Sequence, residues 1–262
     1  MAIITHTYLD ALTKALMPAL YEAGAKIMEI HKRKIASRLK ADGSPVSEAD
    51  EAAEAILLPA LAKATPDIPV VSEENAASHA LAASNLFFLV DPIDGTKEYL
   101  KPDGQGSFTV NIGLIQDGKP IMGLVYAPAF DALYSGIVGH QAVKIAKGET
   151  TELTVREVPA SGAVAVASAS HRDDETNRWL EAHQISETKS IGSSLKFCLL
   201  AEGEADVYPR FGPTMEWDTA AGDAVLRAAG GLVMTTDYAP YPYGKADYRN
   251  TAFIAAGKWR IS

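Results

Sequence analysis

Acidic side chains are concentrated in four short segments, and in three of these the acids lie at the end of an apolar strand or the start of a helix. The segments read KADGSPVSEAD at 40–50, VSEEN at 71–75, DPIDGT at 91–96 and EWDTAAGDAVLRAAGG at 216–231. Carboxylates brought together without partners are disfavoured, because burial and neighbouring like charges both oppose ionisation. A hard divalent cation removes both penalties. Oxygen ligands without histidine or cysteine favour Mg²⁺ over Zn²⁺.

The segment DPIDGT follows the apolar run LFFLV, which predicts a buried strand. Pro92 limits its own φ and keeps Asp91 extended, so the Asp91 and Asp94 carboxylates can converge on one point. Gly95 permits close approach of the backbone, and the amides of Gly95 and Thr96 could open a helix and bind phosphate oxygens. The alternative is a surface turn with helix-capping aspartates. This segment alone does not separate the two interpretations.

The other acidic segments also have ordinary structural interpretations. Ser47 and Asp50 have the spacing of a capping box. Asp218 has the position of a helix N-cap, and Gly230 has that of a C-terminal stop. Paired glutamates such as those of VSEEN are usually solvated. The functional alternative is that Asp218 points at a metal as well as at its helix, and that Asp50 faces the same cluster.

The composition limits the classes of protein to consider. The 262 residues carry a net charge of −9, which argues against a nucleic-acid surface. The lone cysteine, Cys198, lies in the apolar run KFCLL, so we expect a buried structural thiol and a reducing, cytoplasmic compartment. The N-terminus lacks a secretory pattern, and no apolar run of about 18 residues predicts a transmembrane segment. Peripheral association with the inner face of the membrane stays open.

Residue periodicity predicts two helices followed by a sheet in the first part of the chain. Apolar residues at steps of three and four predict a helix over 8–34, interrupted by Pro18, and a second helix from Ser47. Strands are expected in IPVVSEEN and LFFLV, with a small helix of alanines between them. The long segment from SFTVNIGLI to LYSGIVG predicts an antiparallel meander, with a hairpin turn at Asp117 and Gly118.

Strands and helices alternate after a polar stretch at 147–159. The pattern predicts helices over 173–183, 194–203 and 218–229, and strands in AVAVAS, KSIG, ADVYP, GGLVMTT and FIAAG. Alternation of this kind is typical of an α/β layer. We therefore divide the chain into an N-terminal α+β half, 1–155, which contains three of the four acidic segments, and a C-terminal α/β half, 156–262, which contains Asp218.

Taken together, the segments resemble the inositol monophosphatase superfamily of lithium-sensitive, Mg²⁺-dependent phosphatases. SPVSEAD, SEE, DPIDGT and WDTAAGDAVLRAAGG occur in the family's order, between residues 42 and 231. DGTKEYL, SASH and the run from GSSLK through VYPR to MEWDTAAG resemble its bacterial 3′(2′),5′-bisphosphate nucleotidase branch of sulfur metabolism. Those enzymes hydrolyse 3′-phosphoadenosine 5′-phosphate to AMP and phosphate. The departures are small: Ser47 replaces a usual threonine, and Tyr99 a usual phenylalanine.

The resemblance implies a fold, a cofactor and a set of site residues. The fold is α/β (α+β layered), an alternating α/β/α/β/α sandwich with mixed and mostly antiparallel sheets. Two or three Mg²⁺ ions would be bound by Glu73, Asp91, Asp94, Asp218 and the main-chain carbonyl of Ile93. The residues expected to activate the attacking water are Asp50 and Thr96, beside a metal at Glu73. The residues expected to bind the substrate are Gly95, Thr96, His171, Ser193, Lys196, Arg210 and Asp218.

Other functions remain as alternatives. An inositol monophosphatase or a broad sugar-phosphate phosphatase on the same fold would share the catalytic acids, and the segments SSLK and VYPR are the features that discriminate against them. A non-catalytic sensor of Mg²⁺ or nucleotide is disfavoured, because every expected ligand and both water-activating residues are present. The expected partner is a small phosphorylated nucleotide and not a nucleic-acid polymer. The sequence leaves a monomer and a homodimer open.

Overall fold

The computed structural model describes residues 4–32, 38–39, 45–46, 48–81, 84–100, 106–167 and 173–259. Ser47 and His171 lie outside these ranges. The helices are α1 His6–Lys32, α2 Glu48–Ala64, α3 Thr96–Tyr99, α4 Asp174–Ala182, α5 Leu195–Ala201 and α6 Ala220–Ala228. Short 3₁₀ turns occupy Ala76–Ala80, Pro128–Phe130 and Glu216–Asp218.

The strands of the first part are β1 Arg38–Leu39, β2 Pro45–Val46, β3 Val70–Ser72, β4 Leu86–Asp94, β5 Thr109–Gln116, β6 Lys119–Ala127, β7 Ala132–Ile137, β8 Gln141–Ala146 and β9 Glu149–Glu152. Those of the second part are β10 Val164–Ala167, β11 Glu187–Ser190, β12 Val207–Arg210, β13 Leu232–Thr235 and β14 Phe253–Ala256. β1 and β2 pair with each other as a small antiparallel ribbon.

A seven-stranded sheet runs in the order β3-β4-β5-β6-β7-β8-β9. Only the β3–β4 pair among these is parallel, and the rest form an antiparallel meander. Asp117 and Gly118 join β5 to β6 with φ of 48° and 73°. Positive φ at both positions is the requirement of a type I′ hairpin. The predicted meander and its turn are therefore confirmed.

A five-stranded mixed sheet runs in the order β11-β10-β12-β14-β13. β10 is parallel to β11 and β12, whereas β14 is antiparallel to β12 and β13. The helices α1 and α2 pack on one face of the large sheet, α5 and α6 lie between the two sheets, and α4 covers the outer face of the small sheet. The layers alternate as α/β/α/β/α, which confirms the predicted fold.

Three glycines bring α6 against the large sheet. A Cβ atom on Gly123 would lie 2.2 Å from the Ala221 carbonyl oxygen, and one on Gly136 would lie 2.5 Å from the Val225 Cα. Gly113, on the neighbouring strand, faces Ala220 in the same way. Because no side chain separates the helix from these strands, the turn that precedes α6 is held close to β4 and β5.

The division of the chain at residue 155 stays a prediction. One hydrophobic core lies between the two sheets, and it contains side chains from both sides of that boundary, such as Leu89 and Phe197. A second core lies between α1, α2 and the large sheet, where Leu16, Leu20 and Ile27 are fully buried.

Two sequence expectations about element bounds are wrong. Helix α1 is not one of them, since it runs continuously through Pro18 to Lys32, and the predicted end at residue 34 lies outside the described residues. β4 does not end before Asp91 but continues to Asp94. Asp91 pairs with Asn111 and Asp94 pairs with Thr109, so three steps along β4 face two steps along β5 and the register shifts between the two aspartates. The extra residues form a bulge, where a proline needs no ladder partner. Helix α6 begins at Ala220, after the 3₁₀ turn.

Candidate active site

Three carboxylates converge at the end of the large sheet. Single oxygen atoms of Glu73, Asp91 and Asp218 all lie within 4.8 Å of one another. Parallel pairing of β3 with β4 brings Glu73 beside Asp91, and the Glu73 amide donates to the Val90 carbonyl at 3.1 Å. Asp218 lies at the end of the turn Glu216–Asp218, which contacts β4 and β5.

Asp91 is the central acid of this cluster. Its side chain is 1% exposed, and neither carboxylate oxygen has a hydrogen-bond partner among the described residues. Burial raises the pKa of Asp91 well above its ordinary range, and Glu73, Asp94, Asp218 and Asp50 raise it further. Two buried, unpaired carboxylate oxygens beside other acids fit a bound divalent cation, because a cation there offsets both the burial and the repulsion.

A hydrogen-bonded turn fixes Asp218. Its Oδ2 accepts the Met215 amide at 2.8 Å, and the Asn250 side chain donates to the Met215 carbonyl at 2.6 Å. The fully buried Glu216 accepts the amides of Gly244 and Lys245. Asp218 is therefore not the N-cap of α6, a position that Thr219 occupies. Burial and then Asp94 and Glu73 raise the pKa of Asp218 well above its ordinary range.

Asp50, Ile93 and Thr96 border the cluster. Asp50 lies in the first turn of α2 with 2% exposure, and its negative charge reaches Asp91. The Thr96 hydroxyl donates to the Ile93 carbonyl at 3.3 Å. The Ile93 carbonyl oxygen has a second lone pair. The roles of Ile93 as a metal ligand and of Asp50 with Thr96 in activating water stay predictions.

Gly95 has the left-handed backbone that the turn after Asp94 requires. Its φ is 91°, and a Cβ there would lie 3.2 Å from the Ser107 carbonyl oxygen. Its own carbonyl accepts the Tyr99 amide at 2.9 Å and starts α3. The structure thus explains the glycine conformationally, and phosphate binding by the amides of Gly95 and Thr96 stays a prediction.

Two buried cations adjoin the acids. Lys196 is 6% exposed, donates to the Ser193 carbonyl at 2.7 Å and lies 5.4 Å from the centre of the Tyr208 ring. Burial lowers the pKa of Lys196 to about 8, while Asp94 opposes this shift and Arg210 adds to it. Ser193 itself has a φ of 52°, in the left-handed region that serine rarely occupies. This backbone turns the Ser193 carbonyl toward Lys196.

Arg210 ends β12 and is largely buried. Its Nε donates to the Gly212 carbonyl at 3.2 Å, and one terminal nitrogen donates to the Pro213 carbonyl at 3.1 Å. A guanidinium has five N–H groups, so these two bonds anchor the side chain and use only part of its capacity. Substrate contacts of Ser193, Lys196 and Arg210 stay predictions, and His171 lies outside the described residues.

Sequence reasoning missed two residues beside the acids. Asn111 on β5 is fully buried, and its amide nitrogen lies 3.5 Å from Asp94 and 3.1 Å from the Ser194 hydroxyl. An asparagine inside the apolar run TVNIGLI was the available signal, since a buried amide must be hydrogen-bonded. Ser194 carried no signal, because a serine before a helix is an ordinary cap.

The fold and this acidic site define the class of protein. The profile of the inositol monophosphatase family matches residues 8–261. The chain therefore belongs to the inositol monophosphatase family, as the four acidic segments predicted. Among the described residues, no helix has the length and apolar character needed to cross a membrane.

Within the family, the chain is similar to 3′(2′),5′-bisphosphate nucleotidases named CysQ. It is 47% identical to that of Salmonella typhimurium strain LT2 over 223 residues, which cover 83% of this chain and 86% of the relative. It is 48% identical to that of Escherichia coli K12 over 205 residues, 78% and 81% of the two chains. The crystal structure of CysQ from Bacteroides thetaiotaomicron superposes with a TM-score of 0.80, at 37% identity and with 94% and 97% coverage.

Proposed function

We propose that this protein is a metal-dependent phosphatase that hydrolyses the 3′-phosphate of 3′-phosphoadenosine 5′-phosphate to give AMP and phosphate. The observation that carries the proposal is the juxtaposition of two sites. Asp91 with its unpaired oxygens, Glu73 and Asp218 form one site, and the buried cations Lys196 and Arg210 adjoin it. A substrate with two phosphates offers one anion to each site. The nucleotidase activity named for relatives at 47% identity supports this reading.

The acids would hold two or three Mg²⁺ ions. The donor set is all oxygen, as Mg²⁺ prefers. When bound, the ions supply a water of lowered pKa and positive charge for the phosphate oxygens. Glu73, Asp91 and Asp218 are the ligands supported by their convergence. Asp94 and the Ile93 carbonyl complete the proposed set.

Residues of the chain would orient the attacking water. Asp50 is buried beside Asp91, so it can accept a proton close to the reacting phosphate. The Thr96 hydroxyl would rotate from the Ile93 carbonyl to hold the water and donate to Asp50. The amides of Gly95 and Thr96 would bind the equatorial oxygens of the phosphate, where charge accumulates.

The second phosphate would be bound by Arg210 and Lys196. Arginine can bind a phosphate through two parallel hydrogen bonds, and the carbonyls of Gly212 and Pro213 hold its guanidinium in a fixed orientation. Ser193 and His171 would contact the nucleoside. In this proposal the acids carry out catalysis, and the cations determine substrate specificity.

A phosphate-release panel tests the proposal. The wild-type protein is assayed with 3′-phosphoadenosine 5′-phosphate, inositol 1-phosphate and fructose 1,6-bisphosphate, each with Mg²⁺, with EDTA and with Mg²⁺ plus Li⁺. We expect the highest kcat/KM for the bisphosphorylated nucleotide, with loss of activity in EDTA. Chromatography of the product must show AMP and not adenosine 3′-phosphate. A preference for inositol 1-phosphate would contradict the proposal and favour the alternative of an inositol monophosphatase or a broad sugar-phosphate phosphatase.

Assembly as a monomer or homodimer and a cytoplasmic location are further parts of the proposal. Cys198 is a buried free thiol, and such thiols are typical of reducing compartments. Light scattering of the purified chain measures its oligomeric state. Fractionation of cells that express the chain measures its cellular location.

A further inference from the structure

We infer that Ser194 and Asn111 are positioning residues that set the separation of Asp94 and Asp218. The inference rests on the proposed function, because it assigns a role in the metal site of that function. Neither residue belongs to the predicted set of ligands. Both are buried, with 1% exposure for Ser194 and none for Asn111.

The hydrogen-bond directions in this pair are determined by chemistry. The Ser194 hydroxyl lies 3.0 Å from the Asp218 main-chain carbonyl and also hydrogen-bonds to the Asp94 carboxylate, so its single proton goes to one of these two acceptors. Its oxygen must then accept from Asn111, so Asn111 presents its NH₂ group at 3.1 Å. The same NH₂ group lies 3.5 Å from Oδ2 of Asp94, a carboxylate that can only accept. One orientation of the Asn111 amide satisfies both contacts.

The chain of contacts connects elements that are distant in sequence. Asp94 and Asn111 belong to neighbouring strands of the large sheet, whereas Ser194 immediately precedes α5 and Asp218 ends the turn before α6. The pair thus links the strand that carries Asp91 and Asp94 to the turn that carries Asp218. Ligands held on separate elements need such a link, because a cation site tolerates only small errors in ligand position.

Metal affinity is the quantity that this link should control. Groups that orient metal ligands typically contribute about 10- to 100-fold to affinity or activity. A role in packing alone would change the melting temperature without changing metal affinity. The two roles are therefore separable by calorimetry on the substrate-free protein.

The test is isothermal titration of Mn²⁺ into wild-type, Ser194→Ala, Asn111→Leu and double-variant protein. We expect each single variant to bind Mn²⁺ about 10-fold more weakly than wild type. The double variant should be little weaker than either single one, since both changes remove the same hydrogen bond. Variants that bind Mn²⁺ as wild type does would overturn the inference, whatever their melting temperatures.

Thr109→Val is the matched control. Thr109 lies two residues from Asn111 on the same face of β5, is fully buried, and its hydroxyl has no hydrogen-bond partner among the described residues. Removing that hydroxyl should leave Mn²⁺ affinity unchanged. Equal weakening by Thr109→Val would attribute the effect to general disturbance of β5. The titration needs no nucleotide, so failure of the proposed substrate would leave this result interpretable.

Discussion

Two buried aspartates, Asp91 and Asp223, have nearly the same exposure and opposite surroundings. Asp223, on α6, is fully buried, with Arg227 nitrogens at 2.6 Å and 3.3 Å and the Tyr243 hydroxyl at 3.1 Å. Asp91 is 1% exposed, and no described residue donates to it. Asp223 has its counter-charge within the chain, whereas the charged groups that shift the pKa of Asp91 most are other acids.

The difference supports the proposal that Asp91 binds a cation, whereas Asp223 stabilises the fold. A buried acid that the protein itself neutralises supports the fold, whereas one left without a partner implies a cation from solution. Burial alone does not distinguish the two, and the identity of the surrounding groups does. The same contrast applies to arginines, since Arg227 is paired with Asp223 while the hydrogen bonds of Arg210 go to backbone carbonyls.

Substitution of Asp91 should have the largest effect on catalysis. We expect Asp91→Asn to lower kcat/KM for 3′-phosphoadenosine 5′-phosphate on the order of 1,000-fold, equivalent to about 4 kcal/mol of lost transition-state stabilisation. The asparagine keeps the shape of the side chain, so circular dichroism should be unchanged. Phosphate release at saturating Mg²⁺ measures the effect. Near-normal turnover would contradict the assignment of Asp91 as a metal ligand.

Substitution of Asp223 should give the opposite result. Asp223→Asn leaves Arg227 in its partly buried position without a counter-charge, so we expect about 3 kcal/mol lower free energy of unfolding. The kcat of the folded fraction should remain near that of wild type. Urea unfolding and steady-state kinetics measure the two quantities. A loss of kcat as large as that of Asp91→Asn would abolish the contrast between these acids.

Arg210 extends the comparison to the cations. Arg210→Ala should raise KM for the bisphosphorylated nucleotide by about 10- to 100-fold, as expected for hydrogen bonds to a charged group. The KM for a simple monophosphate such as inositol 1-phosphate should change much less. Initial rates with both substrates give the ratio. Equal changes in the two KM values would argue against a contact with the second phosphate.

The pH dependence of stability should show the smallest effect. An aspartate in an unfolded chain has a pKa of about 3.9, and the pKa values of Asp91 and Asp218 are raised in the folded, metal-free protein. At a pH between the unfolded pKa and the raised folded pKa, the folded state binds more protons than the unfolded state. The free energy of unfolding therefore falls as pH rises through this range. We expect the melting temperature in EDTA to fall by a few degrees from about pH 5 to about pH 8, because each kcal/mol corresponds to about 2–4 °C.

Asp91→Asn is the control for that measurement. It removes one of the groups with a raised pKa, so its melting temperature in EDTA should depend less on pH than that of wild type. Its metal-free melting temperature near neutral pH should also be higher, because a buried unpaired charge has been removed. Parallel pH curves for the two proteins would contradict the assignment of Asp91 as an uncompensated acid.

The sequence predicted most of the fold because each element carried its own periodic pattern. The meander, its turn at Asp117 and Gly118, and the alternating second part follow from local residue patterns. The predicted end of β4 and the predicted start of α6 were wrong, because tertiary contacts determine both bounds. Asp91 and Asp94 stay in the strand because Asn111 and Thr109 pair with them, and such pairing is set by tertiary contacts.

The acids of the site were predictable only as a group. Taken alone, Asp218 was an expected N-cap, and the structure shows instead a turn held by Met215 and Asn250. The contact between Ser194 and Asn111 was beyond sequence reasoning, since it joins two residues that are 83 positions apart in the chain. Local patterns contain the chemistry of each side chain but not the long-range distances between them.

A crystal of the protein grown with Mn²⁺ tests the central claim most directly. Mn²⁺ takes oxygen ligands as Mg²⁺ does, and its anomalous scattering locates it without reference to the expected site. We predict a peak coordinated by Glu73, Asp91 and Asp218. The groove lined by Glu51, Glu54 and Glu74 is a second acidic surface and serves as an internal control. Mn²⁺ in that groove, with none at Asp91, would contradict the assignment of Glu73, Asp91 and Asp218 as metal ligands.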